Sequence, residues 1–268
     1  MIDYTAHLTA LMGDLILRVP ALSHVDASRL LVFARPGATS SAGPVATCHC
    51  LTLPTSEPGY YYWLDRLTGE MTRRSPWFVT ESPQVTIGGR SIHYLISFAL
   101  PRFCDQALDR SPKRELYPDL PDWAAKLDTV VHELYHIDPG ARGLRAARGA
   151  DGRETSRMHG RRYRWEVAGM VRRYLASGAD PEVRAFLEYN FAGLVRRHGG
   201  VAATTFRTFP SFPQRYAVPL DVQPPAPPEA RIEPIRLRSI PIAYTEADLV
   251  LRPFHVAGDE VTAPASRQ

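Results

Sequence analysis

The sequence predicts a mixed α+β fold, and three observations carry that prediction. Apolar residues repeat at helical spacing over 123–134, which indicates a helix with a face to bury. The stretch 92–100 reads IHYLISFAL, an apolar and partly β-branched run typical of a buried strand. The composition then changes near Phe209, since 11 of the 24 prolines fall within residues 209–268. A chain of 268 residues with 44% hydrophobic content can bury one core and still carry such an appendage.

The remaining elements follow from local patterns. Residues 2–19 predict an amino-terminal helix, while 29–34 and 45–53 are β-like segments. Pro121 with Asp122 supplies a start for the helix over 123–134, and Asp138-Pro139-Gly140 a stop just beyond it. A further helix is predicted over 154–176, with Gly178 just past its end.

The helix over 123–134 leads into the motif His132-Glu133-Leu134-Tyr135-His136, an H-E-x-x-H pattern. Positions i and i+4 of a helix lie on one face, one turn apart, so the two imidazoles can reach the same metal ion. Glu133 points into the same cleft, where a carboxylate can take a proton from a metal-bound water. This pattern is typical of a zinc metallopeptidase. The competing interpretation is two surface histidines on an ordinary amphipathic helix.

A zinc site needs at least a third protein ligand and, for catalysis, an open position for water. The helix predicted over 154–176 offers Glu154, His159 and Glu166, which would share one face. His159 is preferred because imidazole is a strong zinc ligand and Gly160 beside it leaves room for close approach. Glu154 and Glu166 stay open as alternatives, and a solvated histidine in an Arg-rich helix is the competing interpretation for His159.

VVHELYHI, followed after an Arg- and Gly-rich loop by MHGRRYRWEVAGMVRRYL, resembles the phage metallopeptidase family of phages and bacterial genomes. That family pairs a HELYHI-like helix with a second helix that carries a His-Gly dipeptide and ends in Tyr-Leu. The resemblance covers roughly residues 1–198, with its specific motifs in 93–175, and includes strand-like stretches at 24–34 and 93–103. Family members often have another His shortly before the His-Gly dipeptide, where this chain has Arg157.

The resemblance implies a minimal zincin-like domain, in which a small mixed sheet packs on the active-site helix and a second ligand-bearing helix. It maps the Zn²⁺ ligands onto His132, His136 and His159 and the catalytic base onto Glu133. It also implies that an edge strand near the metal holds the substrate backbone by strand addition. The candidates for that strand are 92–100 and 45–53.

Two further residues have candidate roles beside the metal. Tyr163 lies one helical turn from His159 and could donate a hydrogen bond to the developing oxyanion. Packing between two helices is an equally good interpretation of this tyrosine. Glu166 or Glu154 could instead orient a ligand histidine from outside the coordination sphere.

Domain organisation follows the proline content. Residues 1–200 are predicted as the metallopeptidase-like domain and 201–268 as a Pro-rich extended arm or partly disordered tail. An arm that docks on something is favoured, because apolar residues alternate in it at Ile232, Ile235, Leu237, Ile240 and Ile242.

Charge and cysteine usage bound the partners. Ten arginines crowd residues 142–173, although the net charge is only +4. They are interpreted as a solvated face or, alternatively, as a basic rim for acidic polypeptide or nucleic acid.

Cys48, Cys50 and Cys104 do not suggest a disulfide framework, and Cys48-His49-Cys50 is taken as strand packing. With no signal peptide or membrane-length apolar run, a cytoplasmic protein without a membrane partner is expected.

Two classes of function follow. The first is a zinc-dependent metallopeptidase that acts on a protein or peptide substrate. The second is a non-catalytic zinc-binding interaction protein that keeps the metallopeptidase shape and contacts partners, nucleic acid among them, through its Arg-rich region. Glu133 favours the first class, because a purely structural metal site has no use for a general base there.

Overall fold

The structure of the chain is a computed structural model. It describes residues 1–39, 43–52, 56–60, 62–140, 143–145, 159–208, 216–221, 229–234 and 243–255. Helices and short strands are interspersed along these residues, so the fold is mixed α+β, as predicted. No helix within these ranges is both long and apolar enough to cross a membrane.

Four α-helices and seven short 3-10 helices form within the described ranges. The α-helices are α1 (Tyr4–Arg18), α2 (Ala124–Tyr135), α3 (Arg161–Leu175) and α4 (Phe191–His198). The 3-10 helices are Pro20–Leu22, Ala27–Arg29, Leu108–Arg110, Pro112–Leu116, Pro181–Val183, Ala185–Glu188 and Glu246–Asp248. α1 confirms the predicted amino-terminal helix, and the Asp3 carboxylate caps it by accepting a hydrogen bond from the Ala6 N–H at 3.0 Å.

The start of α3 differs from the prediction. The helix was expected from residue 154, but it begins at Arg161 with Gly160 as its N-cap. His159 therefore lies in the turn before the helix and not on the helix itself. Gly160 has the extended backbone conformation usual for an N-cap residue. Residues 146–158, with Glu154 and Arg157, lie outside the described residues.

The strands are short and are divided among five sheets of three strands each. They are β1 (Ile2–Asp3), β2 (Leu30–Gly37), β3 (Ala46–Cys50), β4 (Ser56–Gly59), β5 (Tyr62–Leu64), β6 (Met71–Arg74), β7 (Phe78–Glu81), β8 (Gln84–Ile87), β9 (Arg90–Ser91), β10 (Tyr94–Pro101), β11 (Val201–Phe206), β12 (Tyr216–Pro219), β13 (Arg231–Ile232), β14 (Ala243–Thr245) and β15 (Leu249–Phe254). The sheet orders are β1-β11-β15, β2-β10-β3, β12-β7-β4, β13-β6-β5 and β14-β8-β9.

The sheet β2-β10-β3 supports the candidate site. β10 runs parallel to β2 and antiparallel to β3, and nearly all of it is buried. Of the two stretches that the sequence left open as the edge strand, 92–100 is therefore the middle of the sheet. The described part of 45–53 forms β3, which lies at the edge among the strands that the structure describes.

The two faces of this sheet are covered differently. Ile96 and Phe98 point to the main core, which they share with the buried sides of α1, α2 and α3. Leu95 points the other way into a smaller apolar cluster, together with Phe33 of β2 and Phe206 of β11. The alternation follows from the two-residue period of a strand. The helices that carry the candidate site thus rest on the more deeply packed face.

The described parts of the Pro-rich region 201–268 contain five short strands, β11 to β15, and the 3-10 helix Glu246–Asp248. β11 pairs with β1 in parallel, and its Val201 and Ala203 belong to the main core. β12, β13 and β14 pair with β7, β6 and β8, and β15 with β11. Ile232 is exposed, and the division at residue 200 into independent units stays a prediction. Outside the described residues lie Ile235, Leu237, Ile240 and Ile242.

Candidate metal centre

α2 brings the first two histidines of the motif together. The helix ends at Tyr135, and His136 is its C-cap, still with right-handed helical dihedral angles. The His136 N–H donates to the His132 carbonyl at 3.2 Å, so the one-turn spacing continues through the helix end. The two imidazole rings stand 4.7 Å apart, centroid to centroid. The predicted i, i+4 geometry is thus present.

His159 completes the cluster from the turn before α3. Its ring centroid lies 4.8 Å from that of His132 and 5.1 Å from that of His136. One candidate ligand atom from each of the three residues can be chosen so that all lie within 4.8 Å of one another. The three predicted metal ligands therefore meet, although His159 comes from a turn and not from the helical face that was expected to present it.

Glu166, one of the two carboxylates considered as alternative ligands, is not in this cluster. Glu166 accepts a hydrogen bond from the Tyr135 hydroxyl at 2.8 Å and another from the Arg162 guanidinium at 2.9 Å. These contacts hold its two oxygens on the Tyr135 side of α3, away from the imidazoles. Glu154 lies outside the described residues, so its role stays a prediction.

The donor set fits a divalent metal such as zinc. Burial lowers the pKa of all three histidines, and the proximity of the other histidines lowers it further for His132 and His136. Neutral imidazoles each offer a lone pair to a metal. The Nε2 atoms of His136 and His159 are 3.2 Å apart. Tetrahedral zinc with Zn–N distances of about 2.0–2.1 Å would space its nitrogens roughly 3.3 Å apart.

One atom of the cluster lacks a hydrogen-bond partner among the described residues. Nδ1 of His136 is buried and makes no hydrogen bond there. Buried polar atoms without a partner cost about 1–3 kcal/mol, so they are rare unless a ligand or ordered water serves them. Nδ1 is thus unsatisfied among the described residues, and it lies across the ring from the Nε2 atom that faces His159.

Glu133 directly follows His132 in α2 and is nearly fully buried. Burial raises the pKa of its carboxyl group to about 7. A hydrogen bond from the Cys48 backbone N–H and the charges of Lys113 and Arg35 act in the opposite direction and lower this pKa. A carboxyl group with a pKa near neutrality can both accept and release a proton at physiological pH. This is the property required of a general base in hydrolysis.

The contact with Cys48 joins Glu133 to the edge of the sheet. The Leu51 N–H donates to the His93 carbonyl, and the Val45 carbonyl accepts from Ala99, so the odd-numbered residues of this segment bond to β10 and its extensions. In an antiparallel pair the next residues along direct their N–H and C=O to the opposite side. Those of Cys48 therefore point outward, where Glu133 meets them.

Tyr163 packs among the three histidines. Its ring centroid lies 5.0 Å from that of His132, 5.3 Å from that of His136 and 5.7 Å from that of His159. Its hydroxyl donates to the His132 backbone carbonyl at 3.0 Å. The hydroxyl is thus committed to holding α3 against the end of α2, and its role as an oxyanion donor stays a prediction.

The sequence did not single out the polar groups that surround the site. The Lys113 ammonium forms a salt bridge with Asp128 at 2.5 Å, and the Tyr117 hydroxyl donates to the same carboxylate at 2.6 Å. The Cys48 N–H on Glu133 was missed in the same way. No local pattern could have found these contacts, because each joins residues from separate elements of the chain.

Other predicted features have plain structural roles. Cys48 and Cys50 are buried in the main core, which confirms strand packing. All three cysteines are free. In the Arg-rich stretch, Arg172 pairs with Asp119 at 2.9 Å and Arg162 with Glu166. Four other arginines of the stretch, Arg142, Arg148, Arg153 and Arg157, lie outside the described residues.

Comparison with known proteins adds no relative. No protein-family model, no curated protein and no solved structure matches this chain. The resemblance to phage metallopeptidases therefore rests on the motif residues alone. Function must be argued from the chemistry of the site.

Proposed function

We propose that this protein is a zinc-dependent metallopeptidase with a minimal zincin-like fold, as the resemblance to the phage metallopeptidase family implies. The observation that carries the proposal is the convergence of three imidazoles, with a buried carboxyl group, Glu133, at the position that follows the first of them in α2. A structural zinc site closes its coordination with four protein ligands. Three histidines with an adjacent general base are instead the donor set of a hydrolytic site.

His132, His136 and His159 would hold the ion. Zinc bound by three neutral imidazoles keeps its positive charge and supplies a Lewis acid that polarises a carbonyl group and lowers the pKa of water. Glu133 would take the proton of the attacking water on a carboxylate oxygen and then release it to the departing amine nitrogen. The Cys48 N–H orients that carboxylate, because its hydrogen bond fixes one oxygen toward the sheet.

The substrate backbone would bind along β3. This strand lies at the edge of its sheet among the described strands, and the peptide groups of its even-numbered residues point outward. An extended peptide can add to such an edge through main-chain hydrogen bonds, which require no particular side chains. Glu133 already accepts the Cys48 N–H, so a peptide bound along this edge would meet the general base at Cys48 and pair with the outward groups on either side of it.

The test is the substitution Glu133→Gln, which keeps the shape of the side chain but removes its ability to accept a proton. We expect hydrolysis of an unfolded protein substrate to fall by about 10²–10⁴-fold, the usual contribution of general acid–base catalysis. Zinc content should stay at the wild-type level, since Glu133 is not a ligand. Glu188→Gln, the same change at an exposed carboxylate of a distant 3-10 helix, is the matched control and should leave the rate unchanged.

The same experiment separates peptidase from interaction protein. If the zinc-loaded wild type and Glu133→Gln hydrolyse the substrate equally, or neither does so, the peptidase proposal fails. The non-catalytic zinc-binding protein would then be the better account.

A further inference from the structure

A cavity of about 250 Å³ opens beside the histidine cluster. The 3-10 helix Pro112–Leu116 forms one wall, α2 the floor and the first turns of α3 the other wall. His132 and His159 line one end of it, so the cavity is continuous with the candidate metal centre. Sites for whole small molecules usually measure about 300–1,000 Å³. This cavity is smaller and suits a single amino-acid side chain.

The lining of the cavity combines an apolar surface with charge. Pro112, Leu116 and Val167 supply apolar contacts for a hydrocarbon stem. Lys113 and Asp128 also face the cavity, but they neutralise each other in the salt bridge at 2.5 Å. The Lys113 ammonium is further occupied by the Thr129 hydroxyl at 2.8 Å and the Ala125 carbonyl at 3.2 Å. This pair therefore leaves no net charge for a ligand.

Arg164 is the remaining cation of the lining. Its side chain is exposed, and no carboxylate in the part of the chain that the structure describes forms an ion pair with it. It lines the same cavity as His132 and His159. An exposed guanidinium that has no ion-pair partner among the described residues remains available to an anion. Guanidinium groups bind carboxylates through two parallel hydrogen bonds.

We propose that this cavity is the side-chain subsite of the candidate peptidase and that Arg164 determines its specificity by binding a substrate carboxylate. The inference rests on the proposed function and names its substrate class. The carboxylate would belong to an acidic side chain next to the scissile bond or to the carboxyl terminus of a peptide. In either case the apolar wall packs against the hydrocarbon part of the residue, and the carboxylate binds the Arg164 guanidinium.

The first measurement is equilibrium binding to the zinc-loaded and zinc-free forms of Glu133→Gln, so that no peptide is consumed. Three fluorescent alanine-based peptides serve as probes: one with a single Glu and an amidated end, one with Gln in its place, and the Gln peptide with a free terminal carboxylate. We expect one of the two carboxylate peptides to bind roughly tenfold tighter than the amidated Gln peptide, the gain that one charge-assisted pair supplies. Which of them gains identifies the source of the carboxylate.

Substitution of Arg164 by Gln should abolish this difference in both forms of the protein. Arg173→Gln is the matched control, because Arg173 is an exposed arginine nine residues further along α3 and thus about half a turn around the helix. It should keep the full preference. Equal binding of all three peptides to the protein with Arg164 intact, or a preference that survives Arg164→Gln, would overturn the subsite.

The second measurement separates this inference from the proposed function. A proteome-derived peptide library is digested with the wild type, and cleavage sites are mapped by mass spectrometry. Cleavage without enrichment of carboxylates near the scissile bond overturns the subsite while the peptidase stands. Carboxylate-dependent binding that requires Arg164, without any cleavage, overturns the peptidase while the subsite stands.

Discussion

The amino-terminal half of α2 and its carboxyl end bury polar side chains in different ways. In the first half, Lys126 donates to the Cys104 and Tyr189 carbonyls at 2.9 and 2.7 Å, and Asp128 binds both Lys113 and the Tyr117 hydroxyl. Each polar group there has a protein partner. At the carboxyl end, the imidazoles of His132 and His136 face another imidazole, and Nδ1 of His136 has no partner among the described residues.

We therefore assign different roles to the buried polar groups of this one helix, structural in its first half and functional at its carboxyl end. A buried polar group that the protein satisfies stabilises one arrangement of the core. By contrast, three neutral imidazoles that converge at the spacing of metal ligands favour a shared ion. The first half of α2 therefore should matter for stability and little for metal, and the carboxyl end should matter for metal and little for stability.

The largest expected effect is at the carboxyl end. His159→Ala should lower zinc affinity by more than about 100-fold, since loss of even an outer partner of a ligand costs about 10–100-fold. Zinc content after dialysis should fall from one equivalent to near zero, while His198→Ala, at the end of α4, should keep one. If His159→Ala retains a full equivalent of zinc, another residue completes the site.

The matching change in the first half is Asp128→Ala. It leaves Lys113 without its ion-pair partner and Tyr117 without its acceptor, so we expect the free energy of unfolding to fall by about 3 kcal/mol. This is the lower end of the usual range, because a quarter of the Lys113 side chain remains exposed. Urea denaturation measures the effect. Asp119→Ala, which removes an exposed pair with Arg172, should cost under about 1 kcal/mol.

The zinc content of Asp128→Ala tests whether the two halves of α2 act independently of each other. It should stay at the wild-type level, because among the described residues no hydrogen bond joins Asp128 to a histidine of the cluster. Loss of zinc in a variant that is still folded would show that the two ends act as one unit.

Tyr163→Phe tests whether the Tyr163 hydroxyl has a structural or a catalytic role. Its hydroxyl donates to the His132 carbonyl, so the variant should lose about 1 kcal/mol of stability and less than tenfold in kcat/KM. A direct oxyanion donor would instead cost about 10²–10³-fold in kcat. A drop of that size with unchanged zinc content and stability would assign the hydroxyl to catalysis.

The sequence predicted the parts of the site that local periodicity controls. H-E-x-x-H on a helix fixes two imidazoles one turn apart, and the structure has them so. It also indicated His159 correctly as a member of the cluster, but on a helix that begins only at Arg161. Helix starts are hard to predict because several residues near Gly160 could serve as the N-cap.

The surroundings of the site could not be predicted, since they depend on contacts between distant elements. The edge position of β3 follows from its pairing with β10, and that pairing is a choice among several short strands. The salt bridge of Lys113 with Asp128 likewise depends on how a 3-10 helix packs on α2. Neither the residue types nor their spacing encode these contacts locally.

Substitution of Lys126 should change the free energy of unfolding least at neutral pH. Its pH dependence is also the sharpest test of whether the amino-terminal half of α2 is desolvated. Burial lowers the pKa of its ammonium group from 10.5 to about 8 in the folded protein. Between these pH values the unfolded chain holds a proton that the folded chain has lost, so the free energy of unfolding rises with pH by about 1.4 kcal/mol per unit. Lys126→Met lacks this pH dependence. Its free energy of unfolding should lie within about 1 kcal/mol of the wild-type value at pH 7, because the lost hydrogen bonds are offset by the removal of a buried charge.

The readout is the difference in free energy of unfolding between wild type and Lys126→Met, measured by urea denaturation from pH 7 to 10.5. Tyrosine and cysteine titrations are common to both proteins and cancel in this difference. It should be flat below pH 8 and then rise in favour of the wild type. A flat difference throughout would mean that Lys126 keeps an ordinary pKa and pays no desolvation cost, so the first half of α2 would be more open to water than its contacts indicate.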